Sequence, residues 1–114
     1  MNRSARGWIE SAKNPQVKAL LRLQERRTRE REARTVVEGV REVQRAFEAG
    51  LTLEAAYVAP DLLATEGHLL EQTLASAGIP VTGCARAAFE RMSGRQGPDG
   101  VLAVNVSNRH ADLS

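Results

Sequence analysis

The stretch of sequence that decides the fold is Thr35-Val36-Val37-Glu38-Gly39-Val40-Arg41-Glu42-Val43. The β-branched residues at 35–37 favour a short buried strand, and Gly39 ends it. After this glycine, apolar residues recur at helical spacing as far as Gly50, a residue type common just beyond a helix end. The stretch therefore predicts a strand, a turn at a glycine and a helix.

The same alternation of strands and helices continues along the chain. Asn14-Pro15 is a strong helix start, because Asn can cap free N–H groups and Pro loses nothing at the first helical position. In chain order the sequence predicts a helix from residue 15 onward, a strand over 35–38, a helix over 40–49, a strand over 53–58, a helix over 62–77, a strand over 81–82, a helix over 85–92, a loop over 93–100 and a strand over 101–106. This order predicts an α/β protein with a four-stranded sheet between layers of helices.

Length and composition exclude several classes of protein. The chain has 114 residues and a mass of 12.4 kDa, which suits one domain with a single core. It has no apolar stretch long enough for a membrane helix, and its first residues lack the apolar segment of a secretory signal. The single cysteine, Cys84, forms neither an internal disulfide nor a zinc site by itself. We therefore expect a cytoplasmic protein with no membrane partner.

Positive charge is concentrated near the N-terminus. Residues 1–34 contain ten basic and four acidic side chains, a net charge of +6, whereas the whole chain carries only +2. No basic residue occurs between Leu51 and Gly83. This asymmetry predicts a polyanionic partner, with nucleic acid as the first candidate. The preference for Arg over Lys has an alternative explanation in the codon bias of a GC-rich genome.

The predicted first helix carries a basic face. Lys18, Arg22, Arg26 and Arg29 follow each other at spacings of four, four and three residues, nearly opposite an apolar face that begins at Val17. Beyond residue 26 we expect the helix to fray, because arginines return to the core face. The apolar face is suited to a core and the basic face to anions.

No complete active site is predicted, and we assign no catalytic residue and no metal ligand. His68 and His110 have no Ser, Cys or carboxylate partner at a catalytic spacing, and we interpret both as surface residues. Cys84 follows a strand and is interpreted as a packing residue. The pair Gly94 and Gly97 lacks the following helix that a phosphate-binding glycine motif needs.

Two loops are candidates for binding instead. The first, Glu38-Gly39-Val40-Arg41, lies at a strand-to-helix junction, where free N–H groups and the helix dipole favour phosphate. The second runs from Ser93 to Gly100 and contains three glycines. It can equally be an ordinary turn into the last strand.

These loops and the N-terminal helix together resemble a known family. In order, the sequence contains Asn14-Pro15-Gln16-Val17-Lys18, then Val37-Glu38-Gly39-Val40-Arg41, then Pro98-Asp99-Gly100-Val101-Leu102-Ala103-Val104. This set resembles the N-terminal substrate-binding domain of the SpoU (TrmH) family of RNA 2′-O-ribose methyltransferases, from near Ile9 to Val106. Asp99 departs from the family, which often has Gln there, and we do not count it as an RNA-binding residue.

The resemblance implies a fold and an RNA surface. The fold is a three-layer α/β/α sandwich with a mixed sheet, similar to ribosomal proteins that bind kink-turn RNA. Its RNA surface is formed by the junction before the second helix and the loop before the last strand, whose glycines would admit unstacked nucleotides. The implied RNA-binding residues are Asn14, Lys18, Arg22, Arg26, Arg29, Glu38, Gly39, Arg41, Ser93, Arg95, Gly97 and Gly100.

The resemblance also implies which functions belong to this chain and which belong to a second domain. Residues 1–106 would be the RNA-binding domain, and residues 107–114 would begin a linker to a C-terminal knotted methyltransferase domain outside this chain. That domain would bind S-adenosylmethionine, carry the catalysis and form the homodimer, so this chain would bind no cofactor. The partner would be structured RNA, with 23S ribosomal RNA as first candidate and transfer RNA as second, and no DNA.

Two alternatives remain at this point. The chain could be a stand-alone RNA-binding or ribosomal protein of the kink-turn type, which a native stop codon after Ser114 would favour. It could also be a protein-interaction module that uses the acidic third helix. The acidic residues in question are Glu54, Asp61, Glu66 and Glu71.

Overall fold

A five-stranded sheet with helices on both faces forms the protein in the computed structural model, which describes residues 7–107. Arg3, Arg6, His110 and all but the first residue of the predicted linker lie outside this range. The strands are β1 (Trp8–Ile9), β2 (Arg34–Glu38), β3 (Leu53–Val58), β4 (Val81–Cys84) and β5 (Val101–Val106). The helices are α1 (Pro15–Arg22), α2 (Arg26–Glu32), α3 (Val40–Glu48), α4 (Thr65–Ser76) and α5 (Arg86–Met92).

The sheet has five strands, so the prediction of four is wrong. The strand order is β1-β4-β3-β5-β2, in which β4 pairs in parallel with β1 and β3, and β5 pairs antiparallel with β3 and β2. The additional strand, β1, has two residues and is too short to show a strand period in the sequence. The Trp8 ring lies over Gly83, where its Cε3 atom would be 2.6 Å from an added Cβ.

Two apolar cores confirm the three-layer architecture. On one face of the sheet, α1 and α5 bury a core that includes Val17, Leu20 and Phe89. On the other face, α3 and α4 bury a second core that includes Val43 and Leu74. Because helices cover both faces, the central strands are apolar almost throughout, as β5 shows with four buried residues in succession.

The predicted long first helix is in fact two helices. α1 ends at Arg22, and the chain turns through residues 23–25 before α2 begins. The buried residues Val17, Leu20 and Leu23 end the apolar face of α1, and one further turn would bring charged Arg27 against the core. Ala33, which has a φ of 55°, ends α2 and directs the chain into β2. The basic face is therefore divided between two short segments.

The helix predicted over 62–77 begins three residues later than expected. Pro60–Leu62 forms a 3₁₀ turn, and α4 starts at Thr65. Gly100 packs against this turn, with an added Cβ at 3.0 Å from Leu62 Cβ and 3.1 Å from the Ala59 carbonyl oxygen. Its φ of 93° also favours glycine. None of the helices in residues 7–107 has the length and hydropathy of a membrane-spanning segment.

The start of α3 is capped from a distant part of the chain. Gly39 precedes α3 and has no side chain to accept from the free N–H groups. Asp99 supplies the acceptor: its Oδ2 accepts from the Val40 N–H at 2.9 Å. The residue that departs from the family pattern therefore stabilises a helix start, a role that sequence analysis did not predict.

We expect Asp99→Ala to lower the free energy of unfolding by about 1 kcal/mol, the usual cost of losing a helix N-cap. Asp99→Asn retains an acceptor oxygen and should cost less. Urea titration followed by circular dichroism measures both, with Asp61→Ala as the control because Asp61 is exposed. Equal stability of Asp99→Ala and the wild type would show that the cap contributes nothing.

Cys84 is buried, as its interpretation as a packing residue requires. Burial raises the pKa of the Cys84 thiol to about 12, and burial likewise raises the pKa of Tyr57. Both groups are therefore neutral in the folded protein at neutral pH. Since the thiolate is the reactive form, the folded chain should resist thiol reagents.

Cys84 should not react with Ellman's reagent at about pH 8 in the folded protein but should react fully in denaturant. The raised pKa also predicts lower stability at high pH: the contribution of Cys84 is complete below its ordinary pKa of 9.0 and is lost as the pH rises toward about 12. Denaturation curves of the wild type and Cys84→Ala over this range test the second point. Rapid native labelling, or identical pH dependence of the two proteins, would contradict the burial.

Candidate nucleic-acid interface

The two loops predicted as binding elements lie side by side. Because β2 and β5 pair antiparallel, with Glu38 opposite Leu102, the end of β2 meets the start of β5. The Glu38 carboxylate then joins the loops directly. It accepts a short hydrogen bond from the Ser93 hydroxyl and another from the Gly94 N–H at 2.9 Å. The side chain of Glu38 is only 12% exposed, which makes this contact a fixed part of the surface.

Arg95 lies over Gly39 and completes the contact between the loops. Its Nη2 donates to the Glu38 carbonyl oxygen at 2.8 Å, and its guanidinium lies 3.9 Å from the carboxylates of Glu38 and Glu42. A Cβ on Gly39 would be 2.9 Å from Arg95 Nη2, and the φ of Gly39 is 109°. Glycine is needed here for its backbone conformation, because the atoms closest to the added Cβ are the ends of flexible Glu42 and Arg95 side chains.

The helix start beside Gly39 already has its own anion. We expected the free N–H groups of α3 to attract phosphate, but the Asp99 carboxylate accepts from Val40 and Glu42 lies in the first turn. Both carboxylates oppose a phosphate at this point. The Val40 N–H is thus already bonded, and the phosphate site at the start of α3 stays a prediction that concerns the other N–H groups of the first turn and the arginine side chains beside it.

Arg29 brings the α1–α2 corner to the same surface. Its Nη1 donates to the carbonyl oxygens of Leu23 at 3.0 Å and Gln24 at 2.7 Å, which holds the guanidinium at the end of α1. Gln24 in turn lies near the second loop, where its Nε2 would be 3.7 Å from a Cβ on Gly94. A cleft of about 360 Å³ separates these elements and is lined by Leu20, Leu23, Gln24, Arg29, Thr35, Val36, Glu38, Met92, Gly94 and Leu102.

The other basic residues of the predicted face lie along α1 and α2. Lys18 and Arg22 are exposed on α1. Arg26 is exposed on α2 and forms an ion pair with Glu30 at 3.0 Å. Asn14 caps α1, since its Oδ1 accepts from the Gln16 N–H at 2.7 Å. With a rise of about 1.5 Å per residue, Asn14 lies roughly 12 Å or more from the end of α1 that adjoins the loops.

The remaining predicted residues differ in accessibility. Arg41 is exposed at the start of α3 and, with Arg95, lines a second groove between α3 and α4. Gly97 has a φ of 60° and open space around it. Gly100 is buried against the 3₁₀ turn, so it shapes the loop and presents no surface of its own.

The acidic residues do not form a single helical face. Only Glu66 and Glu71 belong to α4, whereas Asp61 is in the 3₁₀ turn. Glu54 lies on β3 and accepts two hydrogen bonds from Arg34, at 2.6 and 2.9 Å. This hydrogen bonding holds the pKa of Glu54 below its ordinary value. Of the four acidic residues named for the protein-interaction alternative, only Glu66 and Glu71 therefore lie on the helix itself.

Sequence analysis missed three residues that build the surface. Asp99 caps the start of α3, and the Glu42 carboxylate lies 3.9 Å from the Arg95 guanidinium. Gln24 lines the cleft. Asp99 is 59 positions from the residue that it caps, so no local pattern could reveal it. Within residues 7–107, no group of three or more His, Cys, Asp or Glu side chains is placed to share a metal ion.

Solved structures with the same fold are RNA-modifying enzymes. One described as an RNA 2′-O ribose methyltransferase is 33% identical, with a TM-score of 0.77 over 87% of this chain and 37% of that one. An rRNA methyltransferase from Sinorhizobium meliloti is 18% identical, with a TM-score of 0.70 over 88% and 36% of the two chains. The SpoU methyltransferase AviRb from Streptomyces viridochromogenes is 21% identical, with a TM-score of 0.68 over 82% and 33%.

This chain therefore spans little more than a third of the length of these structures. A comparison with curated protein sequences gives no match. The family described as the MRM3-like substrate binding domain matches residues 14–103, a range that contains α1, α2 and both loops. This match confirms the predicted resemblance to the SpoU/TrmH methyltransferases and shows that the chain belongs to the family of MRM3-like substrate-binding domains.

Proposed function

We propose that this chain binds structured RNA as the recognition domain of an S-adenosylmethionine-dependent RNA 2′-O-ribose methyltransferase. The observation that carries the proposal is the junction built by Glu38. Its carboxylate holds the glycine-rich loop, residues 93–100, against the end of β2, and its carbonyl oxygen accepts from Arg95, beside the cleft that Arg29 lines. Family membership supports this class of ligand, since the matching domain is described as substrate-binding and the 33% identical structure is an RNA 2′-O ribose methyltransferase.

In this proposal the arginines bind phosphates and the loops contact nucleotides. Lys18 and Arg22 are exposed on α1 and form no ion pair within residues 7–107, so they can approach an RNA backbone without breaking an internal contact. Arg26 is 84% exposed, and its pair with Glu30 costs little to open because exposed ion pairs are weak. Guanidinium groups also form bidentate contacts with phosphate. Such contacts orient RNA without reading its sequence.

Catalysis and cofactor binding are proposed to lie outside this chain. The domain, residues 1–106, would deliver binding energy and orientation, so that one ribose 2′-hydroxyl reaches the methyl donor on a second, knotted domain. Residues 107–114 would begin the connection to that domain. The second domain would also form the homodimer, and the whole protein would act in the cytoplasm.

The proposed substrate is folded RNA, with 23S ribosomal RNA ahead of transfer RNA. The binding elements are a rigid loop pair and two short helices, and none offers a helix long enough to fill a DNA major groove. RNA is instead recognised through shape, phosphates and unstacked bases. Filter binding to fragments of 23S ribosomal RNA, transfer RNA and duplex DNA tests the choice of partner.

Arg22→Ala should weaken binding to a structured RNA fragment and reduce the slope of log affinity against log salt concentration by about one unit, as expected for one lost phosphate contact. Arg45→Ala is the matched control, because it removes the same charge from an exposed position on α3, on the other face of the sheet. Fluorescence anisotropy at several salt concentrations measures both. An unchanged slope for Arg22→Ala would show that α1 does not bind phosphate.

The corresponding change at Arg29 is a less clean test. Arg29→Ala also removes the hydrogen bonds to the carbonyl oxygens of Leu23 and Gln24, so part of its effect on binding would come from the α1–α2 corner. Arg29→Lys separates the two effects in part, because lysine keeps the charge but lacks the planar fork.

A further inference from the structure

A groove of about 740 Å³ lies between α3 and α4, on the face of the sheet opposite α1 and α5. We call it the α3–α4 groove. Phe47 of α3 and Leu69 and Leu70 of α4 supply apolar groups to its lining. Its volume is within the range of roughly 300–1,000 Å³ that is typical of ligand sites, so it has room for several side chains of a binding partner.

Leu69 is an apolar side chain that the core of this protein does not use. It is 57% exposed, whereas its neighbour Leu70 is 5% exposed and packs in the core beneath α3 and α4. Phe47, on the other wall of the groove, is half-buried. A side chain that entered the groove from a partner would therefore cover apolar surface that is now in contact with water.

Carboxylates line both walls of the same groove. Glu42 and Glu48 are exposed on α3, and Glu66 is exposed on α4. Asp99 lies at the start of α3, where its Oδ2 caps the helix while its Oδ1 is buried and has no hydrogen-bond partner within residues 7–107. Acidic side chains thus surround the apolar part of the groove.

The two arginines of the groove offset this charge only in part. The Arg95 guanidinium lies 3.9 Å from the Glu42 carboxylate, and Arg41 is exposed at the start of α3. α4 contributes no positive charge, because no basic residue occurs between Leu51 and Gly83. The α3–α4 groove is therefore acidic, in contrast to the basic face of α1 and α2.

A ligand of this groove has to offer an apolar group and positive charge together. The carboxylates repel a phosphate backbone. A small cation would leave Leu69 exposed, and an uncharged apolar ligand would remove water from the carboxylates without replacing it, which is costly. A protein segment with large apolar side chains beside Lys or Arg meets both requirements, because its basic groups pair with the carboxylates.

A second copy of this chain fits the groove less well. Its basic helix α1 carries Lys18 and Arg22, but the apolar side chains Val17 and Leu20 of that helix are buried in its own core. It therefore has no free apolar face to place against Leu69.

We propose that the α3–α4 groove binds an amphipathic helix of a protein partner. Its large apolar side chains would contact Leu69 and Phe47, and its lysines or arginines would pair with Glu48 and Glu66. A groove between two helices is a common site for such a third helix. The groove is on the other face of the sheet from α1, so the proposal goes beyond RNA binding and does not depend on it.

Two substitutions on α4 test the two halves of this chemistry. Leu69→Ser removes the exposed apolar side chain, and Leu51→Ser is its matched control because Leu51 is 45% exposed and lies outside the groove. Glu66→Gln removes one charge from the wall, and Asp61→Asn removes one from an exposed position outside it. All four positions are exposed, so the variants should keep the wild-type circular dichroism spectrum.

The probe is a peptide of leucine and lysine at helical spacing, compared with a version that has glutamine in place of each lysine. In ¹⁵N spectra the lysine peptide should shift amide signals of residues 40–48 and 66–73. Leu69→Ser should weaken its binding on the order of tenfold, as loss of one buried leucine contact would give. Glu66→Gln should weaken binding at low salt and have little effect at high salt, where the charges are screened. Leu51→Ser and Asp61→Asn should bind like the wild type.

Several results would overturn the proposal. These are unchanged binding by Leu69→Ser, equally tight binding of the glutamine peptide, and shifts confined to residues outside the groove. Complete displacement of the peptide by spermidine would show a site for cations only. Shifts of the groove signals with rising protein concentration and no peptide would identify a second copy as the occupant, and the same shifts with an RNA hairpin would identify RNA. Loss of RNA binding in Arg22→Ala with peptide binding intact would keep the two surfaces distinct, as we expect.

Discussion

The Glu38 carboxylate is the contact on which the surface of this protein depends. It is at the last position of an edge strand, and it accepts hydrogen bonds from two residues that lie more than fifty positions further along the chain. In accepting them it fixes the start of the glycine-rich loop. The same junction places Arg95 beside Gly39, whose φ of 109° favours glycine. A loop that would otherwise move freely thus becomes part of a defined surface.

A second long-range contact forms at the same junction, and here the loop supplies the acceptor. Asp99, near the end of the loop, caps the helix that begins after Gly39. The Glu38 carboxylate therefore fixes the loop to β2, and the Asp99 carboxylate fixes it to α3. Both acids are hydrogen-bonded within the protein, so arginine and lysine carry the remaining charges near the junction. This arrangement explains how an acidic residue can lie within the proposed RNA-binding surface without contacting phosphate.

The break between α1 and α2 gives the surface its cleft. In a continuous helix, the basic residues would all lie along one straight face. Instead the chain turns at residues 23–25, and Arg29 returns to hold the carbonyl groups at the end of α1. The corner then faces the glycine-rich loop across a space with apolar walls. Basic side chains and the cleft are in this way combined on one side of the sheet.

Local patterns in the sequence determined the regular elements. The periodicity predicted β3 and β5 with their observed bounds and β2 to within one residue, because a strand covered on both faces is a short and largely apolar run. The three layers follow from the same alternation, and the ordered motifs indicated the family. The corner at Leu23 follows from the local end of the apolar face of α1. In contrast, tertiary structure alone decided the pairing of β1 and the cap from Asp99, since each depends on residues distant in the sequence. Side chains meet across such distances only when the sheet has brought their strands together, and for this reason the detailed form of the binding surface could not be predicted from local patterns.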